Sequence, residues 1–455
     1  MSDNPGQTRK IRRRSMLSGA VMFGGGALIS ATVPSRLLQS GNAAGRGHAL
    51  DELANTRALQ EPTVRSAASA PARFSPEFLA NKTFQDLPLN FDPAPALMVN
   101  GEPIETGAFL QENGDVLFKV FAPYAQNVQL KTATGPGRES EFRLTKQANG
   151  VFQGRLVYNE TATGPVHVQV KVDGVPTIDP YLPVQWTSGA RNIVEVPDGA
   201  LDFVQIKNVP HGAVGREIYW VEALNSWERC FVYTPPGYMN GREEYPVLYL
   251  LHGGGDNETS WEYAGKVAHI LDNLISERKA NPFVVVMNNG MLRYKTTKPP
   301  VVDEAFERLL TQSCIPYIGK TYRVKTGKWN RAIGGLSMGS YMSCDIGFRH
   351  PELFGNIGTF TASMTHESSF PTTYERPYRR VMQDPAKFVN DYKVYFRSTT
   401  PLEDHISYFY ADDKICTDAG IDRLPSYHRI LYPERTSKWN SWRMGLRDYA
   451  KLLFR

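Results

Sequence analysis

The segment NRAIGGLSMGSYMSCDIGFRH (330–350) places a serine between glycines at a predicted change of secondary structure. NRAIGG predicts a short strand, and MGSYMSCDIGFRH predicts a helix that ends before Pro351. A serine in a GxSxG pattern at such a strand-to-helix turn stands clear of the sheet. The flanking glycines fit because a side chain there would collide with the neighbouring strand or helix. We therefore predict that Ser337 is a nucleophile and that the N–H of Met338 stabilises an oxyanion.

Residues 205–455 alternate apolar, strand-like runs with helical stripes. YPVLYLLHGGG (245–255) and FVVVMNNG (283–290) are apolar on both faces, as strands covered by helices should be. Three later runs are interpreted as further strands: IGTFTAS (357–363), ISYFYA (406–411) and YHRILY (427–432). The alternation predicts an α/β fold with a mostly parallel sheet, whose chemistry lies at the carboxyl ends of the strands.

The loop in LLHGGGDNETSW (250–261) follows one of these buried strands and contains three consecutive glycines. Its backbone N–H groups are unobstructed, and that of Gly254 is predicted to be the second donor to the oxyanion. A glycine-rich loop after a strand can also hold a phosphate, but the GxxxxGK[ST] frame of that site is absent. The loop therefore favours an oxyanion hole over a phosphate site.

Residues 96–204 contain short runs in which apolar and polar residues alternate. VHVQVKV (166–172) places its valines on one face and leads into Asp173-Gly174, a pair typical of a hairpin turn. VLFKVFAP (116–123) and VQLKTA (128–133) are similar, so this part is predicted to be an antiparallel β-sandwich. Such a module could bind glycans, or it could pack against the neighbouring domain and shape one wall of its site. No cluster of aromatic residues marks a sugar platform, which favours packing.

The first 44 residues are predicted to be a twin-arginine export signal. They hold six Arg or Lys residues against a single Asp, which accounts for the formal charge of +5 of the whole chain. Arg13 and Arg14 precede an apolar run (16–33) that is glycine-rich and short for a membrane span. The rest of the chain is neutral, which argues against nucleic-acid binding. The signal indicates a periplasmic or secreted bacterial protein with no stable membrane span after its removal, and residues 45–95 are interpreted as a linker.

Several motifs of the C-terminal part resemble one known family. VYTPPGY, YPVLYLLHGGGDNETSW, VVVMNNG and GGLSMGSYMSCDIGFRHPELF are together similar to the esterase D-like branch of the α/β-hydrolases, in particular to feruloyl and acetyl xylan esterases of carbohydrate esterase family 1. GDVLFKVFAPYAQNVQL resembles the immunoglobulin-like modules that precede catalytic domains in many carbohydrate-active enzymes. The resemblance implies a Ser, Asp, His order, with the acid after the strand that follows IGTFTAS. Asp412 and Asp413 follow ISYFYA, and Asp413 is the preferred acid.

The histidine of the family pattern is missing from this chain. The relatives end in a stretch like GGHxWxxWR, whereas this chain has RTSKWNSWR, with Ser437 at the histidine position. A serine hydroxyl cannot act as a general base near neutral pH. The candidate base is His366, which follows the carboxyl end of a predicted strand, and the alternative is an ordinary loop histidine. Four other histidines are placed elsewhere: His405 and His428 at the starts of predicted strands, His350 at a helix end and His252 in the oxyanion loop.

Three functions are consistent with these features. The chain could be a serine esterase acting on acyl esters of polysaccharides, a catalytically impaired relative that binds a glycan or acyl group, or an acyltransferase that excludes water. Trp261 and Trp439 are predicted to line the cleft by analogy with their motif positions, and burial in the core is the alternative. No metal-ligand pattern or cofactor motif stands out, so neither is expected. The four cysteines lack a CxxC spacing, and their pairing stays open.

Overall fold

The computed structural model describes residues 97–133, 139–199, 201–292, 302–361, 364–365, 375–433 and 438–455, together with Arg73 and Ser75. The predicted export signal and almost all of the predicted linker lie outside the described residues, as do His366 and Ser437. All described residues belong to one unit. Within the described part of the chain, no helix combines the length and the apolar character needed to cross a membrane.

The N-terminal part consists of antiparallel strands. They are β1 (Leu97–Val99), β2 (Glu102–Ile104), β3 (Gly107–Leu110), β4 (Val116–Phe121), β5 (Val128–Ala133), β6 (Glu139–Arg143), β7 (Thr145–Lys146), β8 (Val151–Leu156), β9 (Gly164–Val172), β10 (Val175–Thr177), β11 (Val184–Trp186) and β12 (Ala190–Val196). One sheet has the order β3-β4-β8-β7, and the other has the order β11-β12-β9-β5-β6, with β10 paired to β9. β1 and β2 form a separate two-stranded sheet.

The two larger sheets enclose one hydrophobic core, so the module is a β-sandwich. Phe118 of β4 and Leu130 of β5 are fully buried in the same cluster, together with Val168 of β9. The alternation in the sequence matches this burial, because β4 and β5 each alternate buried and half-buried residues. The turn from β9 to β10 uses Asp173 at φ 49° and Gly174 at φ 84°, both left-handed, as a two-residue hairpin requires. The likeness of the whole sandwich to an immunoglobulin fold stays a prediction.

The C-terminal part contains one eight-stranded sheet flanked by helices. Its strands are β13 (Ala213–Val221), β14 (Ser226–Thr234), β15 (Val247–Leu251), β16 (Val284–Asn288), β17 (Arg331–Gly335), β18 (Asn356–Thr359), β19 (Val394–Thr399) and β20 (Tyr427–Leu431). Its helices are α1 (Ser260–Tyr263), α2 (Val267–Ser276), α3 (Val302–Arg308), α4 (Ile315–Thr321), α5 (Met338–Arg349), α6 (Pro377–Val381), α7 (Pro385–Asp391), α8 (Ile406–Asp418) and α9 (Lys438–Leu452). A π-helical turn (Leu309–Cys314) joins α3 to α4.

The sheet has the strand order β13-β14-β16-β15-β17-β18-β19-β20. The six strands from β15 to β20 are parallel to one another, whereas β13 and β14 form an antiparallel hairpin at one edge. The predicted parallel arrangement therefore holds for six strands of this sheet only, and the sheets that precede it are antiparallel. β15 and β16 are buried at every residue because hydrophobic layers cover both faces of the sheet.

The prediction of a strand at ISYFYA (406–411) is wrong, because these residues begin helix α8. The strand that follows β18 is instead β19, which the sequence analysis missed. Its central Arg397 interrupts the apolar run, and the two terminal nitrogens of the buried guanidinium donate to Asp413, the Tyr427 hydroxyl and the Phe409 carbonyl. This shift by one strand changes which residues reach the carboxyl edge of the sheet.

The sandwich contacts the C-terminal part through buried polar groups. Arg443 of α9 donates from Nη1 to Glu195 Oε1 at 2.7 Å and from Nη2 to Glu195 Oε2 at 2.9 Å. Asn440 Nδ2 donates to Thr163 Oγ1 at 3.0 Å. These contacts support the interpretation of the sandwich as a packing module. All four cysteines are buried free thiols.

Candidate active site

Ser337 lies at the strand-to-helix turn that its sequence predicts. β17 ends at Gly335, α5 begins at Met338, and Ser337 between them adopts φ 49° and ψ −119°. A left-handed φ at a serine is strained, and such strain is typical of nucleophile elbows. The flanking glycines are required, since a Cβ at Gly335 or Gly339 would lie 2.6 Å from the carbonyl oxygen of Leu251. Ser337 remains partly exposed, so a substrate can reach it.

The first turn of α5 leaves one amide available. Gly339 N donates to Leu336 O at 2.7 Å, and Ser340 N donates to Ser337 O at 2.9 Å. The N–H of Met338 has no acceptor among the described residues. A free N–H at a helix N-terminus is suited to bind an anion, as predicted for Met338.

The glycine loop after β15 holds the second amide in a fixed direction. Gly253 O accepts hydrogen bonds from His252 Nδ1 at 2.7 Å and from Asp256 N at 3.3 Å. In a trans peptide the C=O and the following N–H point in opposite directions, so these bonds also orient the Gly254 N–H, which has no described acceptor. A Cβ built on Gly253 would lie 3.2 Å from Ser337 Cβ, which places the loop directly against the nucleophile.

His252 acts as the support of this loop. Gly290 N donates to His252 Nε2 at 2.8 Å, so the ring proton resides on Nδ1. Burial lowers the pKa of His252 to about 4, which keeps the ring neutral at neutral pH. Both ring nitrogens are therefore occupied, and His252 is not available as a base.

The structure places Asp413 away from the carboxyl edge of the sheet, contrary to its predicted role as the acid. It lies within α8 and pairs with Arg397 Nη1 at 2.7 Å and with Arg429 Nη2 at 2.7 Å. Its neighbour Asp412 is fully buried and accepts from Met364 N at 3.0 Å and from Thr365 N at 2.8 Å. Asp413 therefore neutralises arginines, and Asp412 anchors the segment that leads to His366.

The three remaining histidines that were placed elsewhere in the sequence analysis divide into two groups. His350, at the end of α5, contacts Glu307 and Glu352, which raise its pKa, and His428 lies within β20. These two are remote from Ser337, as the sequence indicates. His405 is different, because it precedes α8 rather than starting a strand and so lies in the loop after β19. Since β19 is parallel to β17, that loop is at the same edge as Ser337. The reason for excluding His405 is therefore wrong.

Acidic residues that the sequence analysis missed occupy the same loop. Glu403 and Asp404 follow β19, the strand to which the family order assigns the acid. Lys438, the first residue of α9, is buried and lies 3.8 Å from Glu403 Oε1 and in contact with Asp404. An ammonium group thus neutralises these carboxylates, and it belongs to the residue that follows position 437 in the sequence, where the family pattern has histidine. The sequence feature that could have identified Glu403 and Asp404 is the strand VYFRST (394–399), which precedes them.

Trp261 and Trp439 do not line an open cleft, which corrects their predicted role. They are 1% and 5% exposed, and their rings pack edge to face with centroids 6.0 Å apart. Trp261 Nε1 donates to Leu251 O at 2.8 Å, at the end of β15. The pair therefore fixes the start of α9 beside the oxyanion loop. No group of His, Cys, Asp or Glu within the described ranges is arranged to hold a metal ion.

The strand order, the nucleophile turn and the two amides form an arrangement that is typical of α/β-hydrolases. Residues 221–403 match the family model Esterase, described as "Putative esterase". The chain is 35% identical over 275 residues to an endo-1,4-beta-xylanase/feruloyl esterase of Xylanibacter ruminicola, an alignment that covers 56% of this chain and 36% of that protein. The predicted resemblance to esterases of the feruloyl type is thereby confirmed.

Solved structures of esterases match this chain at low sequence identity. A CE1 ferulic acid esterase of Anaeromyces mucronatus is 19% identical, with a TM-score of 0.44, covering 57% of this chain and 96% of that one. The enterobactin esterase of Shigella flexneri is 14% identical, with a TM-score of 0.49, covering 74% of this chain and 93% of that one. The chain spans 36% and 12% of the length of two curated relatives that it matches.

Proposed function

We propose that this protein is an exported serine esterase that hydrolyses acetyl or feruloyl groups on polysaccharides through an acyl-Ser337 intermediate. The observation that carries the proposal is a strained serine whose turn adjoins two amides, those of Met338 and Gly254, that have no acceptor among the described residues. This arrangement suits a tetrahedral oxyanion and has no evident structural purpose. The similarity to a xylanase/feruloyl esterase supports the substrate class, and the twin-arginine pattern supports export.

In the proposed reaction, Ser337 Oγ attacks the ester carbonyl and transfers its proton to a base. The N–H groups of Met338 and Gly254 hold the negative charge on the carbonyl oxygen. The intermediate collapses with loss of the alcohol, and water then hydrolyses the acyl-serine by the same steps in reverse. His366 and His405 are the candidate bases, and Glu403 or Asp404 takes the place of Asp413 as candidate acid.

A second candidate function rests on Lys438. Its ammonium group pairs with the carboxylates of Glu403 and Asp404 after β19. Without this ammonium group, those carboxylates could orient a histidine at position 437. A site without a base keeps its oxyanion donors but turns over slowly. Under this alternative the protein binds a glycan or an acyl group and hydrolyses it only weakly.

Hydrolysis of p-nitrophenyl acetate, methyl ferulate and acetylated xylan by the full chain tests the proposal. Ser337→Ala is expected to lower kcat by about 10⁴-fold or more and to remove any burst of p-nitrophenol. Ser343→Ala is the matched control, because this serine lies on the same helix and its buried hydroxyl has no described partner. His366→Ala and His405→Ala, made separately, identify the base as the one whose loss removes turnover.

Two outcomes would contradict the proposal. Turnover that survives Ser337→Ala would show that another group performs the chemistry. Saturable binding of a feruloylated xylo-oligosaccharide without a burst, unaffected by Ser337→Ala, would favour the binding protein instead.

A further inference from the structure

The turn between β11 and β12 of the sandwich, residues 187–189, contacts the oxyanion loop directly. Ser188 N donates to Gly255 O at 2.7 Å. A Cβ on Gly255 would lie 2.4 Å from Ser188 Oγ, and Gly255 has φ +86°. Only glycine satisfies both conditions, so this loop residue is fitted to the sandwich.

The next loop residue, Asp256, is held by the same turn through its side chain. The Thr187 side chain lies close enough to the Asp256 carboxyl group to favour its ionised form, and Asp256 is 9% exposed. Asp256 N in turn donates to Gly253 O at 3.3 Å. The contacts of the sandwich thus extend to the peptide that orients the Gly254 N–H.

We infer that Thr187 and Ser188 are positioning residues for the oxyanion donor Gly254, so that the sandwich completes the active site. This inference rests on the proposed function of Gly254. His252 fixes the Gly253–Gly254 peptide from one side, and the turn fixes the following two residues from the other. Without the turn, the loop would be supported at one end only, and the amide would sample orientations that do not face Ser337.

The sandwich has a separate attachment that does not involve this loop. The Arg443–Glu195 pair and the Asn440–Thr163 hydrogen bond connect it to α9. A substitution in the turn therefore leaves the module docked. Conversely, a substitution in the α9 attachment loosens the module without removing a loop contact.

The test compares Thr187→Val with Thr187→Ser in the full chain, using p-nitrophenyl acetate as a small substrate. Valine has the shape of threonine but lacks the hydroxyl that lies near the Asp256 carboxyl group, whereas serine keeps it. We expect Thr187→Val to lower kcat about tenfold with KM within twofold of wild type, because an oxyanion donor acts in the transition state. Thr187→Ser is expected to retain at least half of the activity. Glu195→Gln is the control for loosened docking and is expected to lower the melting temperature more than kcat.

A second readout does not depend on catalysis. Amide hydrogen exchange in a peptide covering residues 252–258 should be faster in Thr187→Val than in Thr187→Ser, while the strands of the sheet keep wild-type exchange. If wild type shows no Ser337-dependent hydrolysis, the proposed function fails, and exchange alone decides whether the turn holds the loop. Unchanged kcat and unchanged exchange in Thr187→Val would overturn the inference. Equal losses of kcat in Thr187→Val and Glu195→Gln would also overturn it, since they would indicate a general effect of docking.

Discussion

Two regions meet at the carboxyl edge of the main sheet, and they differ in how completely they are assembled. On one side, the end of β17 leads into Ser337 and Met338, and the loop after β15 packs Gly253 against Ser337. On the other side, Glu403 follows β19, where the family pattern implies the acid, but position 437 is serine where that pattern has histidine, and the next residue, Lys438, lies 3.8 Å from Glu403 Oε1. The oxyanion side therefore follows the family pattern, and the acid–base side departs from it.

The difference follows from which atoms perform each task. The oxyanion side works through backbone amides, whose direction is set by glycines, a helix start and one buried histidine. The acid–base side works through side chains from separate loops. A change at one position, such as serine in place of histidine at 437, therefore removes a general base without changing the fold. A protein can thus keep the first side while the second diverges.

The largest effect is expected for the variant His252→Leu, which tests the oxyanion side. Leucine fills the buried space but neither donates to Gly253 O nor accepts from Gly290 N. Because the Gly254 amide then loses its orientation, kcat for p-nitrophenyl acetate should fall about 10²–10³-fold, as for the loss of one oxyanion donor. His350→Gln, at the far end of α5, is the control and should leave kcat within twofold. A folded His252→Leu variant with wild-type kcat would show that the loop needs no such support.

A pH effect is expected next, at Asp256 beneath the same loop. Burial raises the pKa of Asp256 to about 7, so the carboxyl is protonated in the folded protein but ionised in the unfolded chain between about pH 4 and pH 7. Unfolding therefore releases a proton, and stability falls as the pH rises through this window. Asp256→Asn should increase the free energy of unfolding at pH 8 by about 2–4 kcal/mol and change it little at pH 4.

Urea unfolding at both pH values measures this difference. Asp418→Asn, an exposed carboxylate on α8, is the control and should shift stability equally little at each pH. A constant effect of Asp256→Asn from pH 4 to pH 8 would mean that the carboxyl ionises normally in the folded protein.

The misassignment of α8 and β19 shows where the sequence gives insufficient information. Phe409, Asp412 and Cys416 are fully buried at helical spacing, but the aspartate breaks the apolar stripe that would reveal a helix. Arg397 breaks the apolar run of β19 in the same way. Both polar groups pair with partners that are distant in the chain, such as Thr365 N for Asp412. The local periodicity of the sequence does not reveal such pairs.

Two elements were predicted correctly because their signals are local in the sequence. The bounds of β5 coincide with the run VQLKTA, and α5 begins directly after the predicted turn. The elbow could be read because its glycines report a steric requirement that is local in sequence. The tryptophans of the WxxWR frame could not be placed, because the same motif position can face a cleft or a core, and Trp439 packs in the core.

A smaller effect is expected for Asp413→Asn, which tests the corrected assignment. Asp413 pairs with buried Arg397 and with Arg429, so its neutralisation should lower the free energy of unfolding by about 2 kcal/mol. The activity of the folded variant should stay within twofold of wild type, because α8 holds this carboxylate away from the carboxyl edge. Glu403→Gln and Asp404→Asn, measured alongside, should change kcat more than stability. A loss of kcat with unchanged unfolding would return Asp413 to the active site.

The smallest effect is expected for the variant Ser437→His, which tests the acid–base side. A histidine at this position would lie between the nucleophile and the carboxylates after β19, if the geometry of the relatives is kept. We expect kcat/KM for p-nitrophenyl acetate to rise about tenfold, below the 10²–10⁴-fold that a well-placed base can supply. The gain is limited because Lys438 still neutralises Glu403 and Asp404. Ser437→Asn, which adds a polar side chain but no base, should give no gain.

Adding Lys438→Met to Ser437→His separates the two causes. Removing the ammonium frees a carboxylate to orient the new imidazole, so the double variant should exceed the single one if the missing base limits turnover. If neither variant gains activity while His366→Ala or His405→Ala removes it, a histidine from another loop already serves as the base. In that case the acid–base side is rebuilt rather than lost, and the two sides of the site are equally complete.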